Sequence, residues 1–208
     1  MRGIIKKTLL FITLSICIIA FSACGTVLKL PKPTNNMDSV YLLKYSTWGH
    51  HSLAFYDGST FTEFTYGDWD LFALNKRDAW TAWKNMTFLT QGALGRKSIS
   101  LKSKESICDK FVGCERVVRF LAPKNKVKML FFMLQKKYNE NINTEIYNSN
   151  EDVYFVKDVE SYWGLHNCNH QLVEWLELLG VEVTGRVFYK PDLIEGMIPS
   201  QKTIIHMP

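Results

Sequence analysis

Asn167-Cys168-Asn169-His170 opens a run that closes at Gly180, and this pattern places a cysteine on the first turn of a helix. Apolar residues recur at Leu172, Trp175, Leu176 and Leu179, the spacing of one buried helical face. Asn167 is suited to the N-cap, where its side-chain oxygen accepts an orphan backbone N–H, and Gly180 to the position just past the helix end. A thiol there meets the positive end of the helix dipole, which favours the nucleophilic thiolate. Two readings fit these residues alone: a nucleophile, or a small buried cysteine at a helix start.

A thiol nucleophile needs a base, and histidine has the right proton affinity. The chain offers His50, His51, His166, His170 and His206. His170 lies about 200° round the helix from Cys168, at ~3.6 residues per turn, and so points away from it. His50 and His51 are remote in sequence but stand on a strand, a rigid support for a base. Asp57-Gly58 between two β-prone runs, His50–Tyr56 and Ser59–Tyr66, predicts a hairpin with a two-residue turn. In that register Ser52 faces Glu63 and His50 faces Thr65. One face then carries His50, Ser52, Ala54, Phe61, Glu63 and Thr65. Glu63 is a diagonal neighbour of His50 and the first candidate to orient its imidazole, with Thr65 and Asp68 behind it. The small Ser52 and Ala54 leave room for the cysteine helix on this face.

The elements around this hairpin read as a mixed α+β domain. A strand is expected at Val40–Tyr45, and a helix at Asp78–Met86 with Ala79, Trp80, Ala82 and Trp83 as an aromatic core face. Strands are expected near Val117–Leu121 and Val153–Val156. A helix is expected from about Asn125 to Tyr138, with its stripe at Val127, Leu130, Phe131 and Leu134. The domain is expected to span residues 39–208, behind a Pro- and Asn-containing tether over residues 24–38.

The chain has 208 residues, 47% of them apolar, which suits one compact domain. Arg2, Lys6 and Lys7 precede the apolar run Leu9–Phe21, the pattern of a secretory signal over residues 1–23. Three of the 25 Lys and Arg and none of the 20 Asp and Glu fall there, so residues 24–208 carry only +2. That balance gives no argument for nucleic-acid binding, and Lys124, Lys126 and Lys128 read as a solvated helix face. Phe21-Ser22-Ala23-Cys24-Gly25 resembles a bacterial lipobox, with Phe21 where Leu is usual. The resemblance implies a lipidated, palmitate-type anchor on Cys24. Gly25 after it implies the outer membrane, facing the periplasm. Cys108 and Cys114, six apart in an exported chain, suit a small-loop disulfide. Cys168 is then the cysteine left over.

Gly49-His50-His51-Ser52-Leu53-Ala54-Phe55-Tyr56-Asp57-Gly58 resembles the histidine strand of NlpC-type and LRAT-type (lecithin:retinol acyltransferase) proteins. Asn167-Cys168-Asn169-His170-Gln171 resembles the LRAT cysteine box. Tyr66-Gly67-Asp68-Trp69 and Tyr162 are similar to bacterial lipoproteins of this group, and histidine before cysteine is its circularly permuted, papain-like order. The resemblance runs roughly from Val40 to Gly180. It implies an antiparallel sheet or small barrel packed on the cysteine helix, with Cys168 as nucleophile and no cofactor. It implies His50 as base, since Ser52 then fills the small position two residues on. His51 as base would leave the bulkier Leu53 there. The implied reaction is attack on an amide or ester carbonyl through an acyl-enzyme, by a hydrolase or an acyltransferase. Peptidoglycan peptides and lipid acyl groups are the substrates within reach. Two other readings stand beside it: an envelope-binding or assembly lipoprotein without turnover, and a metal site of His166, Cys168 and His170 with His50 or His51. The metal set lacks a recognised zinc spacing.

Overall fold

A computed structural model describes residues 26–46, 50–100, 107–185 and 203–204. The signal, Cys24, Trp48, Gly49, His206 and most of the C-terminal tail lie outside the described residues. The strands are β1 (Val27–Lys29), β2 (Met37–Tyr45), β3 (His51–Tyr56), β4 (Thr60–Asp68), β5 (Thr90–Ser100), β6 (Cys114–Pro123), β7 (Ile146–Asn148), β8 (Val153–Tyr162), β9 (Glu182–Thr184) and β10 (Thr203–Ile204). Three α-helices join them: α1 (Ala79–Thr87), α2 (Lys124–Glu140) and α3 (Cys168–Leu178). The fold is α+β. Eight strands form one antiparallel sheet in the order β10-β6-β2-β3-β4-β5-β8-β7, and β1 pairs with β9 separately. The sheet is open, with β10 and β7 at its edges among the described residues.

Side chains alternate across a strand, so each face of the sheet collects every second residue. One face carries Val40 and Leu42 of β2, Leu53 and Phe55 of β3, Phe64 and Tyr66 of β4, Leu94 of β5 and Val156 of β8. Helices α2 and α3 cover it, burying Leu130, Leu134, Leu172 and Leu176. Each such side chain contributes about 1.5–3 kcal/mol on burial. The other face carries Tyr41, Leu43, Ala54 and Phe61, covered by Ile107 and Phe111. Beside them, Ala93, Val153 and Phe155 meet Trp69 and Ala73 of a single π-helical turn, Trp69–Ala73. A disulfide joins Cys108 and Cys114 and pins the segment that carries Phe111.

Three expectations are corrected. The tether over residues 24–38 is in part folded: β1 pairs with β9, and Leu28 and Leu30 enter the helix-side core. Pro31 and Pro33 follow that strand, and a bend at Asn35–Asn36 leads into β2. Helix α1 exists, but Trp80 and Trp83 are exposed and its buried residues are Thr81 and Asn85. The hairpin loop holds four residues rather than two, because Asp57 Oδ1 accepts from both Ser59 N (2.9 Å) and Thr60 N (2.8 Å). Gly58 supplies the left-handed step at φ +101°. Tyr56 therefore pairs with Phe61 and Ala54 with Glu63, a slip of two residues that keeps each side chain on its expected face. Among the described residues no helix is long and apolar enough to cross a membrane.

The folded state of residues 27–30 is testable. Leu28→Ala is expected to cost about 2–5 kcal/mol in urea unfolding, as for other fully buried leucines. A free tether would give no change.

Candidate active site

Cys168 is the first residue of α3. Asn167 caps the helix from an extended conformation, accepting from Asn169 N at 3.0 Å and His170 N at 3.4 Å. Gly180 ends it at φ +87°, where Val181 N reaches back to Leu176 O at 3.0 Å. Cys168 is the only free cysteine among the described residues and is half-buried. Burial pushes its thiol up to about 11, while the Tyr162 hydroxyl and the Asn169 backbone N–H pull it back towards the thiolate. The helix end therefore does not give a resting thiolate. At neutral pH the group is a thiol that needs a base.

Tyr162 is the side chain that holds the sulfur. It ends β8, and the tight turn Trp163–His166, closed by reciprocal backbone bonds of 3.1 and 2.9 Å, folds the chain back so that its hydroxyl lies beside Sγ, where it favours the thiolate. Burial, the sulfur and the nearby Asp68 carboxylate all hold the phenol proton in place. Its ring lies 6.0 Å from that of Tyr66, which in turn stands 5.7 Å from His166.

His50 is not on this side of the sheet. Its Nε2 hydrogen-bonds Thr65 Oγ1, and its ring sits 5.8 Å from Tyr45 and 5.1 Å from Phe72. Glu63 accepts from Tyr45 Oη and Ser52 Oγ rather than from an imidazole. His50, Glu63, Tyr45, Thr65, Phe72 and Phe111 line a common cavity on the face away from α3. Burial lowers His50 to about 3, with His51 adding to the shift, and raises Glu63, so the imidazole is neutral. The expected union of Cys168, His50 and Glu63 therefore does not form. The reason is the two-residue period of β3: α3 packs on Leu53 and Phe55, and His50 has the opposite parity.

His51 has the parity that His50 lacks. It is buried and pairs with Lys44 of β2, with the parity of Leu53 and Phe55, on the sheet face that also carries Tyr66 of β4. Tyr66 leads through Tyr162 to Cys168. Asp68, His170 and His166 each make further contacts. Asp68 accepts from Leu71 N at 2.8 Å and from Thr90 Oγ1, capping the π-helical turn. His170 Nδ1 lies 3.1 Å from Asn167 Oδ1. His166 Nδ1 bonds Ser161 O at 2.9 Å, and its Nε2 stands 3.5 Å from Glu160 and 3.9 Å from Glu174. The ligand-type groups that converge here are Glu160, His166 and Glu174, not the set containing Cys168. In the sequence Tyr162 was marked only by its place in the resemblance, with no role attached.

Comparison with known proteins returned no match. No family model, curated protein or solved structure matches this chain. The chemistry of the site rests on its own geometry.

Two outcomes are expected. Iodoacetamide labelling of Cys168 should accelerate with pH towards about 11, and Tyr162→Phe should slow it at each lower pH, since the hydroxyl stabilises the thiolate. Labelling that ignores the hydroxyl would exclude that contact. His50 should make stability pH-dependent. Its folded proton affinity lies below the unfolded 6.5, so acidification from there to about 3 protonates only the unfolded chain and destabilises the fold. His50→Asn should flatten that part of the stability–pH curve.

Proposed function

We propose that this chain is a cell-envelope lipoprotein whose Cys168 attacks an amide or ester carbonyl, with His51 rather than His50 as its base. The observation that carries the reading is the setting of Cys168. It is the single free thiol of the described residues, it begins α3 under the Asn167 cap, its sulfur is held by Tyr162, and it lies on the sheet face that includes His51. The Cys108–Cys114 disulfide suits an exported, oxidising location. The lipobox-like residues before Cys24 add an anchor in the outer membrane. The order of histidine strand, sheet and cysteine helix fits a permuted papain-like fold of the NlpC and LRAT kind.

A thiol at about 11 is ionised on the order of one part in 10⁴ at neutral pH, so the base is essential to the chemistry. His51 takes the Cys168 proton as the sulfur attacks the carbonyl carbon. The Tyr162 hydroxyl and the Asn169 N–H hold the developing thiolate. The backbone N–H of Cys168 serves the new oxyanion, since those of Asn169 and His170 donate to Asn167 Oδ1. Protonated His51 returns its proton to the leaving amine or alcohol, and the acyl group remains on Cys168. Water or another acceptor then attacks the thioester, with hydrolysis or acyl transfer as the result. Peptidoglycan stem peptides and lipid acyl esters are the substrate classes within reach of such a site.

One observation favours a second reading, a binding or assembly lipoprotein without turnover: the described partner of Cys168 is a tyrosine, and burial keeps the thiol protonated. Incubation with p-nitrophenyl butyrate and intact-mass analysis separates the two. The enzyme reading expects a butyryl adduct on Cys168, slowed roughly 10²–10⁴-fold by His51→Ala and unchanged by His50→Ala. No adduct, or an adduct formed equally by His51→Ala, would support the binding reading. An adduct lost only with His50→Ala, in a variant that keeps its circular dichroism, would overturn the assignment of the base.

A further inference from the structure

Helix α1 is inside out. Asp78 caps it, accepting from Thr81 N at 2.9 Å and from Thr81 Oγ1 at 2.7 Å, and this turns Thr81 and Asn85 inward. The Met86 carbonyl lies where a Cβ on Gly164 would sit, 2.6 Å away, so the end of the helix is seated closely against the turn before Cys168. The apolar side faces out. Trp80 is 67% exposed and stacks on Trp83 at 5.0 Å, and Trp83 meets Phe88 edge-on at 5.5 Å. Met86 and Leu89 are exposed beside them. A surface helix normally buries that stripe and exposes its polar residues, so this face has the character of a docking surface.

We propose that the outer face of α1 docks on the lipid bilayer at the headgroup–acyl boundary. Tryptophan, phenylalanine, leucine and methionine on one face are the composition of an interfacial helix. Lys76 and Lys84 share the carboxylate of Asp70, at 2.9 and 3.6 Å, so two ammonium groups flank the patch, balanced by Asp70 and the capping Asp78. Chain length ties the patch to lipid, a step that rests on the lipoprotein reading above. Cys24 is three residues from Val27, where β1 is already paired with β9, so a lipid on Cys24 is within about 10 Å of the folded domain. Such an anchor leaves no slack to hold the domain clear of the membrane. The patch then becomes a second contact, and it sets the turn preceding Cys168 at the membrane surface.

The test uses the full chain, reconstituted in vesicles of phosphatidylethanolamine and phosphatidylglycerol that contain acyl-brominated lipid, with tryptophan fluorescence as the readout. Strong quenching is expected, and most of it should disappear in the Trp80→Phe/Trp83→Phe double variant. Both positions are exposed, so circular dichroism should be unchanged. Absent quenching, or equal quenching in both proteins, would overturn the proposal. So would cross-linked dimers through this face with unquenched Trp80 and Trp83, since the occupant would then be a second copy. Intact mass of the same sample reads the anchor separately. Acylated Cys24 with unquenched Trp80 and Trp83 rejects the patch alone, and unmodified Cys24 with quenching rejects the anchor and keeps the patch.

Discussion

Successive residues of β3 point to opposite faces of the central sheet, and the helices that carry the thiol cover only one of them. That constraint decides which chemistry the molecule can assemble. Leu53 and Phe55 bring α3 down on their own face, together with Phe64 and Tyr66 of β4 and Leu172 and Leu176 of the helix. His51 shares their parity. His50, Ser52, Glu63 and Thr65 share the other, where His50 bonds Thr65 and Glu63 bonds Tyr45 and Ser52 around one cavity with Phe72 and Phe111. Moving His50 to the thiol would require a one-residue slip of the strand, which would carry Leu53 and Phe55 out of the core.

The two polar groups differ in what their burial does. On the far face it keeps His50 neutral and raises Glu63, which suits a fixed structural cluster better than proton exchange. On the helix face burial keeps Cys168 protonated, but a hydroxyl and a backbone N–H are already placed to receive the thiolate. The second arrangement has a donor set matched to the charged form and needs a proton acceptor, the role proposed for His51. Tyr162 is thus a positioning residue for the sulfur, and the closed turn Trp163–His166 is what brings it there.

Much of this was legible in the residues. Asn167 and Gly180 marked the two ends of the cysteine helix because capping is local chemistry. The faces of the β3–β4 hairpin were legible because a period of two survives a register slip of two. The loop length was not, since Asp57 can serve either a two-residue turn or the side-chain-bonded loop found here. Which face the helix would choose was also not legible. Ser52 and Ala54 offer room, whereas Leu53 and Phe55 offer apolar area, and area prevails when the helix stripe is Leu172, Trp175 and Leu176. The inversion of α1 escaped the periodicity for a related reason: a stripe of Trp80 and Trp83 shows that one face is apolar, not that the protein itself covers it. Strand β1 was hidden by Pro31 and Pro33, which read as linker residues although Leu28 and Leu30 enter the core.

The central claim is that the sheet separates His50 from Cys168 and leaves His51 on the thiol's side. Imidazole ¹⁵N resonances, recorded through a pH titration before and after alkylation of Cys168 with iodoacetamide, test it most directly. Alkylation is expected to shift the His51 ring signals, while those of His50 stay in place and report a neutral ring down to about 3. A His50 ring that titrates near 6.5 and moves on alkylation, with His51 unmoved, would contradict it.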